Sequence, residues 1–213
     1  MPWLIAETKR ELISRTVFRK AGTELRYDPA LKINECKDVY PPGEDTMLLL
    51  ESIDVAKGEE ILEIGCGSGM ICIHCAAVGA EVTAVDVNEN AVRCTLQNAE
   101  RNGVRVNVVL SDLFSSIFRK YNQIVFNPPY LPGHETDPLA LSWSGGKGGV
   151  EVLDRFLRDS PKFLEHGGKI TVVVSSRMDE EPLRRSLSMF RVQEIADKRL
   201  FFERIRVLSL QVG

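Results

Sequence analysis

Glu60-Ile61-Leu62-Glu63-Ile64-Gly65-Cys66-Gly67-Ser68-Gly69 is the stretch whose reading decides the fold. Its first five residues form a short apolar strand. Three glycines at alternate positions then let the chain turn sharply and enter a helix over residues 68–78. The same rhythm continues downstream. Residues 81–85 form a strand ending at Asp86. Asn88 caps a helix with Ala91, Val92, Thr95, Leu96 and Ala99 on one face, and Asn102-Gly103 stops it. A third strand covers 104–110 and ends at Ser111-Asp112, and a fourth covers 123–126. Leu153, Phe156, Leu157, Ser160 and Leu164 mark a helix face, stopped by His166-Gly167-Gly168. A fifth strand over 169–175 and a helix over 180–189 follow. Residues 191–196 and 204–210 pair as a final antiparallel couple. Strand and helix alternating in this way predict an α/β fold: a mostly parallel sheet with helices on both faces.

The first residues break the rhythm. Residues 6–20 read as a charged helix. Residues 24–27 and 31–34, separated by Asp28-Pro29, read as a small hairpin. Tyr40-Pro41-Pro42-Gly43-Glu44-Asp45-Thr46 is a turn leading into a helix over 47–53. We therefore expect an N-terminal extension over 1–38 (a helix plus a small hairpin) and a single α/β domain over 39–213. The loop over 128–149 carries Trp143 and, after it, four glycines; its length marks it as functional. Trp143 and those glycines read as a flexible lid or the wall of a groove.

Bulk properties exclude several classes. With 44% hydrophobic and 27% charged residues over 213 positions, the chain can bury a full core. A net charge of −3 argues against affinity built on many phosphate contacts. Arg15, Arg19, Lys20 and Arg26 form the best basic patch. No apolar run spans a bilayer, and the N-terminus lacks a basic segment followed by an apolar one, so a cytoplasmic protein is expected. Five cysteines, an odd and clustered set, do not read as a disulfide framework. Cys72-x-x-Cys75 lacks a second pair at zinc spacing and reads as a helix packed on a sheet, so no metal is expected.

In an open α/β sheet, ligands bind at the carboxyl ends of strands. Gly65, Gly67 and Gly69 bring the backbone close to such a ligand. Their spacing departs from G-x-G-x-x-G, which makes a pyrophosphate a less natural guest. The acids discriminate further. Glu63 repels phosphate and favours a cationic ligand. Asp86 is placed to accept from two ribose hydroxyls, and Asp112 from an adenine amino group. A ribose, an adenine and a positive centre together describe S-adenosylmethionine.

Asn127-Pro128-Pro129-Tyr130 follows the fourth strand. Two prolines force a turn and supply no N–H. An amide side chain, a free carbonyl and an aromatic ring then meet at a strand end. That set holds a planar NH2 group: oxygens accept its hydrogens and the Tyr130 ring covers its face.

Four motifs carry a family resemblance: residues 39–46, residues 62–69, Asn127 to Tyr130, and the run from Trp143 to Phe156. With these the chain resembles the class I methyltransferases. Among them it is most similar to the HemK/PrmC-type protein-glutamine methyltransferases, in the short archaeal and eukaryotic branch that modifies class I release factors. The resemblance implies a Rossmann-like, seven-stranded sheet with an antiparallel C-terminal pair. It implies that Thr46, Glu63, Gly65, Asp86 and Asp112 contact S-adenosylmethionine, with Leu113 beside the adenine. Asn127, Pro128 and Tyr130 would hold the glutamine amide of a release factor's Gly-Gly-Gln loop. It also implies a small zinc-binding activator subunit at the third strand, whose apolar residues suit an exposed sheet edge. A methyltransferase for an exocyclic amine of adenine or guanine in DNA or RNA is the rival reading, since a base presents the same NH2 group.

Overall fold

The computed structural model of the protein describes residues 22–133 and 144–213. The helix expected over 6–20, the basic residues Arg15, Arg19 and Lys20, and Trp143 lie outside the described residues.

Seven strands form one sheet in the order β5-β4-β3-β6-β7-β9-β8. They are β3 (Glu60–Ile64), β4 (Glu81–Asp86), β5 (Val106–Leu110), β6 (Tyr121–Phe126), β7 (Leu164–Ser175), β8 (Phe190–Arg199) and β9 (Arg204–Val212). The first five run parallel; β9 is antiparallel to both β7 and β8. The chain starts at β3, winds outward through β4 to β5, then returns to β6 on the other side of β3. This reversal opens a crevice at the carboxyl ends of β3 and β6. Two short strands, β1 (Thr23–Glu24) and β2 (Asp54–Val55), form a separate antiparallel pair.

Alternation along the buried strands divides the core in two. Leu62, Ile64, Ile124 and Val172 face helices α4 (Glu151–Asp159) and α5 (Glu180–Ser186), meeting Leu153, Phe156 and Leu183. Ile61, Val82, Val125 and Val173 face α1 (Glu44–Leu50) and α2 (Met70–Ala77), with α3 (Glu89–Arg101) adding Ala99. The helix expected over 153–164 ends early, in a 3-10 turn at Ser160–Phe163. Pro161 lies in that turn, where its missing N–H costs little.

Two expectations are corrected. The hairpin over 24–34 does not form: Thr23–Glu24 pairs with β2, and 31–34 runs as an irregular strap along α3. The strap's backbone is satisfied by asparagine side chains instead. Lys32 N–H donates to Asn102 Oδ1 (2.7 Å), whose Nδ2 donates to the Lys32 carbonyl (3.0 Å). Asn98 does the same for Asn34, at 3.0 and 2.9 Å. Four helical residues rise about 6 Å and two extended residues about 6.6 Å, so the two repeats match. The second correction is a disulfide between Cys36 of the strap and Cys94 of α3. Counting cysteines missed it because the pairing depends on how the strap lies.

The remaining cysteines, Cys66, Cys72 and Cys75, are free and buried. His74 beside them has both ring nitrogens engaged: Nδ1 with the Met70 carbonyl (2.7 Å) and Nε2 accepting from Asp28 N–H (3.1 Å). Among the described residues, no helix is long and apolar enough to cross a membrane, and no His, Cys, Asp and Glu cluster suits a metal ion.

The disulfide closes a span of 58 residues. A Cys36→Ser, Cys94→Ser double variant should lose about 3–4 kcal/mol of unfolding free energy. Urea titration under non-reducing conditions measures this. Equal midpoints with equal slopes would show that the bridge is not formed.

Candidate active site

A cavity of about 540 Å³ opens at the carboxyl ends of β3, β4 and β6. Thr46, Glu63, Gly65, Asp86, Asp112, Leu113, Asn127, Pro128 and Tyr130 all line it. Gly67 and Gly69 shape its floor from behind, in the turn between β3 and α2. All three glycines of that turn have positive φ, and a Cβ on Gly69 would lie 2.9 Å from Ile73 and 3.1 Å from Thr95.

The turn is fastened to β4. Gly65 and Cys66 N–H both donate to the Val85 carbonyl, at 2.7 and 3.0 Å. Gly67 N–H donates to Asp86 Oδ2 (3.0 Å), and Asn88 N–H donates to Asp86 Oδ1 (2.9 Å). Each Asp86 oxygen keeps a lone pair for a ligand hydroxyl. Burial raises the Asp86 pKa against the opposing effect of these N–H donors. Glu63 is buried, with Oε2 accepting from Cys72 N–H at 2.9 Å. Burial pushes its pKa up to about 8, and Asp86 adds to the shift. A buried, ligand-free carboxyl of this kind ionises readily only when a cation approaches.

Asp112 sits differently. Its Oδ2 accepts from Arg155 Nη2 at 2.6 Å, and both side chains are about half exposed, so the pair adds little stability. Arg155 comes from α4 and also lines the cavity. Leu113 beside Asp112 has a φ of 48°, which turns the chain across the cavity wall.

On the opposite side, the Asn127–Tyr130 stretch is tied to the first turn of α1 at both ends. Asn127 Nδ2 donates to Thr46 Oγ1 in a long 3.5 Å bond, and Tyr130 Oη donates to Asp45 Oδ2 at 3.3 Å. Asp45 Oδ1 in turn accepts from Thr46 N–H at 2.7 Å. Asn127 Oδ1 is buried and has no hydrogen-bond partner among the described residues. Thr46, expected at the cofactor, is thus also the anchor of Asn127.

The glycines after Trp143 are packed against this stretch, not poised as a flexible lid. Gly145 N–H donates to the Leu131 carbonyl (2.8 Å), and Gly133 N–H to the Gly146 carbonyl (3.3 Å). A Cβ on Gly149, at φ +69°, would lie 2.2 Å from the Tyr130 carbonyl oxygen; one on Gly145 would lie 2.6 Å from that of Pro129. Only glycine permits this approach.

Residues 42–202 match the family model described as the methyltransferase small domain. The chain belongs to the methyltransferase small domain family. It is 37% identical to the "Putative protein N5-glutamine methyltransferase" of Methanocaldococcus jannaschii, over 84% of this chain and 94% of that one. It is 35% identical to methyltransferase HEMK2 of Mus musculus, over 71% of this chain and 78% of that one. Among solved structures, the fold matches the Mtq2–Trm112 complex of E. cuniculi, described as responsible for methylation of the termination factor eRF1. That match has a TM-score of 0.67 at 23% identity, covering 83% of this chain and 99% of that one. The seven-stranded sheet with its antiparallel end is the class I methyltransferase architecture.

For this methyltransferase, sequence reading assigned no site role to several cavity residues, among them Tyr40, Asp45, Arg155 and Glu203. Tyr40 and Asp45 stand in the Pro-Pro-Gly turn that reading had singled out, so a signal existed. Glu203 carried none.

The folded, ligand-free protein keeps the Glu63 proton up to about pH 8, against an ordinary value of 4.5. It therefore binds more protons than the unfolded chain between those limits. The Glu63 contribution to stability should be fully present below about pH 4.5 and be lost as pH rises through about 8. Glu63→Gln should flatten that slope, leaving the same-signed contribution of Asp86; urea titrations from pH 5 to 8.5 compare the two. Parallel slopes would contradict the burial argument. Separately, Gly149→Ala should lower stability by about 1–3 kcal/mol and displace Tyr130. Denaturant unfolding with wild-type values would mean that the packing is looser than described.

Proposed function

We propose that this methyltransferase transfers a methyl group from S-adenosylmethionine to the side-chain nitrogen of a protein glutamine, in the Gly-Gly-Gln loop of a class I release factor. The observation that carries the reading is the buried, partnerless Asn127 Oδ1. An unsatisfied buried acceptor costs about 1–3 kcal/mol. A ligand N–H relieves that cost, and Asn127 and Pro128 are neighbours in the lining of the cavity.

The residues present fit S-adenosylmethionine. Asp86 offers acceptors for ribose hydroxyls, Glu63 a carboxyl suited to a cationic centre, and Asp112 and Leu113 a polar and an apolar wall for adenine. When bound, that cofactor supplies an electrophilic methyl group on a sulfonium. The chain's own residues answer a different difficulty: an amide nitrogen is a poor nucleophile, because its lone pair is delocalised into the carbonyl. Asn127 Oδ1 and the Pro128 carbonyl accept its two hydrogens and fix its direction. Such orientation contributes up to about 7–11 kcal/mol in favourable cases. The same oxygens stabilise positive charge as it develops on the nitrogen. Tyr130 packs on the amide plane. Burial, with Asp45 and Glu203 adding to it, pushes its phenol pKa up, so Tyr130 keeps its proton and is no general base.

Nucleobase methylation has less support. The acceptor side of the cavity carries Asp45 and Glu203, carboxylates that repel a phosphate backbone. Arg26, the described residue of the basic patch, is exposed and lies beside Glu24. For a partner, we propose that the edge strand β5 takes a small zinc-binding activator subunit. Leu110 is exposed there, and the E. cuniculi relative of this fold is itself a complex with a second protein.

Asn127→Ala should lower turnover on a release factor by about a hundredfold or more, with S-adenosylmethionine affinity little changed. Intact-protein mass spectrometry and calorimetry give the two readouts. Wild-type turnover in that variant would refute the assignment of Asn127.

A further inference from the structure

Beyond the reacting groups, one feature of the cavity rim has no role in holding the fold. The turn between β8 and β9 ends in Phe201 and Phe202, which are 91% and 81% exposed. Their rings meet edge to face, 4.8 Å apart. Adjacent phenylalanines left in water signal a surface that something else covers.

The turn itself is firmly held. Leu200 N–H donates to the Glu203 carbonyl at 2.8 Å. Ser175 Oγ donates to Glu203 Oε2 at 2.6 Å. Ser176 N–H donates to the Arg204 carbonyl, and Arg204 N–H returns a bond to Ser176 Oγ, both at 2.9 Å. Lys198 pairs with Glu44 at the start of α1. Two neighbouring cations, Arg177 and Arg199, are exposed, and neither has an ion pair among the described residues. Glu203, next in sequence to Phe202, lines the cavity beside Asp45 and Tyr130. The aromatic tip is therefore continuous with the acceptor side of the active cavity.

Position decides what covers it. A subunit on β5 sits at the other end of the sheet, five strands away from β9 and six from β8. At about 4.8 Å per strand the separation is roughly 24–29 Å. A protein that inserts a glutamine past Tyr130, by contrast, must bring its neighbouring surface to the tip. We propose that Phe201 and Phe202 are a docking tip for the intact methyl-accepting protein, taking an apolar patch flanked by acidic residues beside its glutamine-bearing loop. This rests on the protein-glutamine reading above and adds the surface that selects a folded protein over a peptide.

The test is steady-state kinetics on two acceptors: an intact class I release factor and a short peptide carrying its Gly-Gly-Gln segment. A Phe201→Ser, Phe202→Ser double variant should raise KM for the intact factor about tenfold or more, with kcat nearly unchanged. Its reaction with the peptide and its S-adenosylmethionine affinity should match wild type. The Phe201→Leu, Phe202→Leu variant, which keeps an apolar tip, should recover most of the lost affinity. Wild-type KM for the intact factor in the serine variant overturns the docking inference alone. So does an equal loss on peptide and protein, which would place the tip's effect inside the cavity, or the loss of binding only to a separate activator subunit. A wild-type enzyme that methylates neither acceptor overturns the glutamine reading, and this inference with it.

Discussion

The structure depends on one tie between segments far apart in the chain. Asp45 and Thr46, in the first turn of α1, hold Tyr130 and Asn127 at the two ends of a proline turn. Helix α1 is itself fixed by Leu49 and Leu50, which are fully buried against the sheet. The tie leaves Asn127 Oδ1 buried without a donor. A folded protein tolerates such an atom where a ligand completes it. Everything else around the cavity keeps that atom in place. The glycines at 145 and 149 press on the proline turn from behind, and the strap along α3 delivers Tyr40 and the Pro-Pro-Gly turn to α1.

Charge divides the cavity into two halves with different chemistry. Glu63 is buried and Asp86 half-buried; burial raises both pKa values while backbone N–H groups donate to both carboxyls, an environment that suits a polar and cationic guest. On the other side Tyr130 donates to Asp45 and Ser175 donates to Glu203, with Tyr40 lining the cavity near them. Burial raises the Tyr40 and Tyr130 phenols, and the two nearby carboxylates reinforce the shift. In the proposed function the second half holds an acceptor still and does not move its proton. The methyl donor and the amide are then received by surfaces built on different strands, β3 and β4 for one, β6 and α1 for the other. Only the reversal of strand order between them brings these surfaces together.

Most of the sheet was legible because its strands read as short apolar runs closed by glycine or an acid. Glu63, Asp86 and Asn127 were legible for the same reason: each ends or follows such a run. The N-terminal region was not. Residues 31–34 have a strand-like composition, but Asn98 and Asn102 supply backbone-like partners from a helix, a substitution that no local pattern announces. The Cys36–Cys94 bridge shares this origin. The glycines over 145–149 suggested flexibility by composition, whereas Gly145 and Gly149 are glycine because the Pro129 and Tyr130 carbonyls leave no room for a Cβ. Glu203 reaches the cavity only through the pairing of β8, β9 and β7, which brings a turn near the end of the chain back to the crevice.

The most direct measurement of the central claim is a crystal structure of the protein with S-adenosylhomocysteine and a glutamine-bearing peptide. The account predicts the glutamine side-chain nitrogen within hydrogen-bonding distance of both Asn127 Oδ1 and the Pro128 carbonyl, its plane against Tyr130. A peptide bound elsewhere, or a water molecule satisfying Asn127 Oδ1 while the glutamine amide points away, would contradict it.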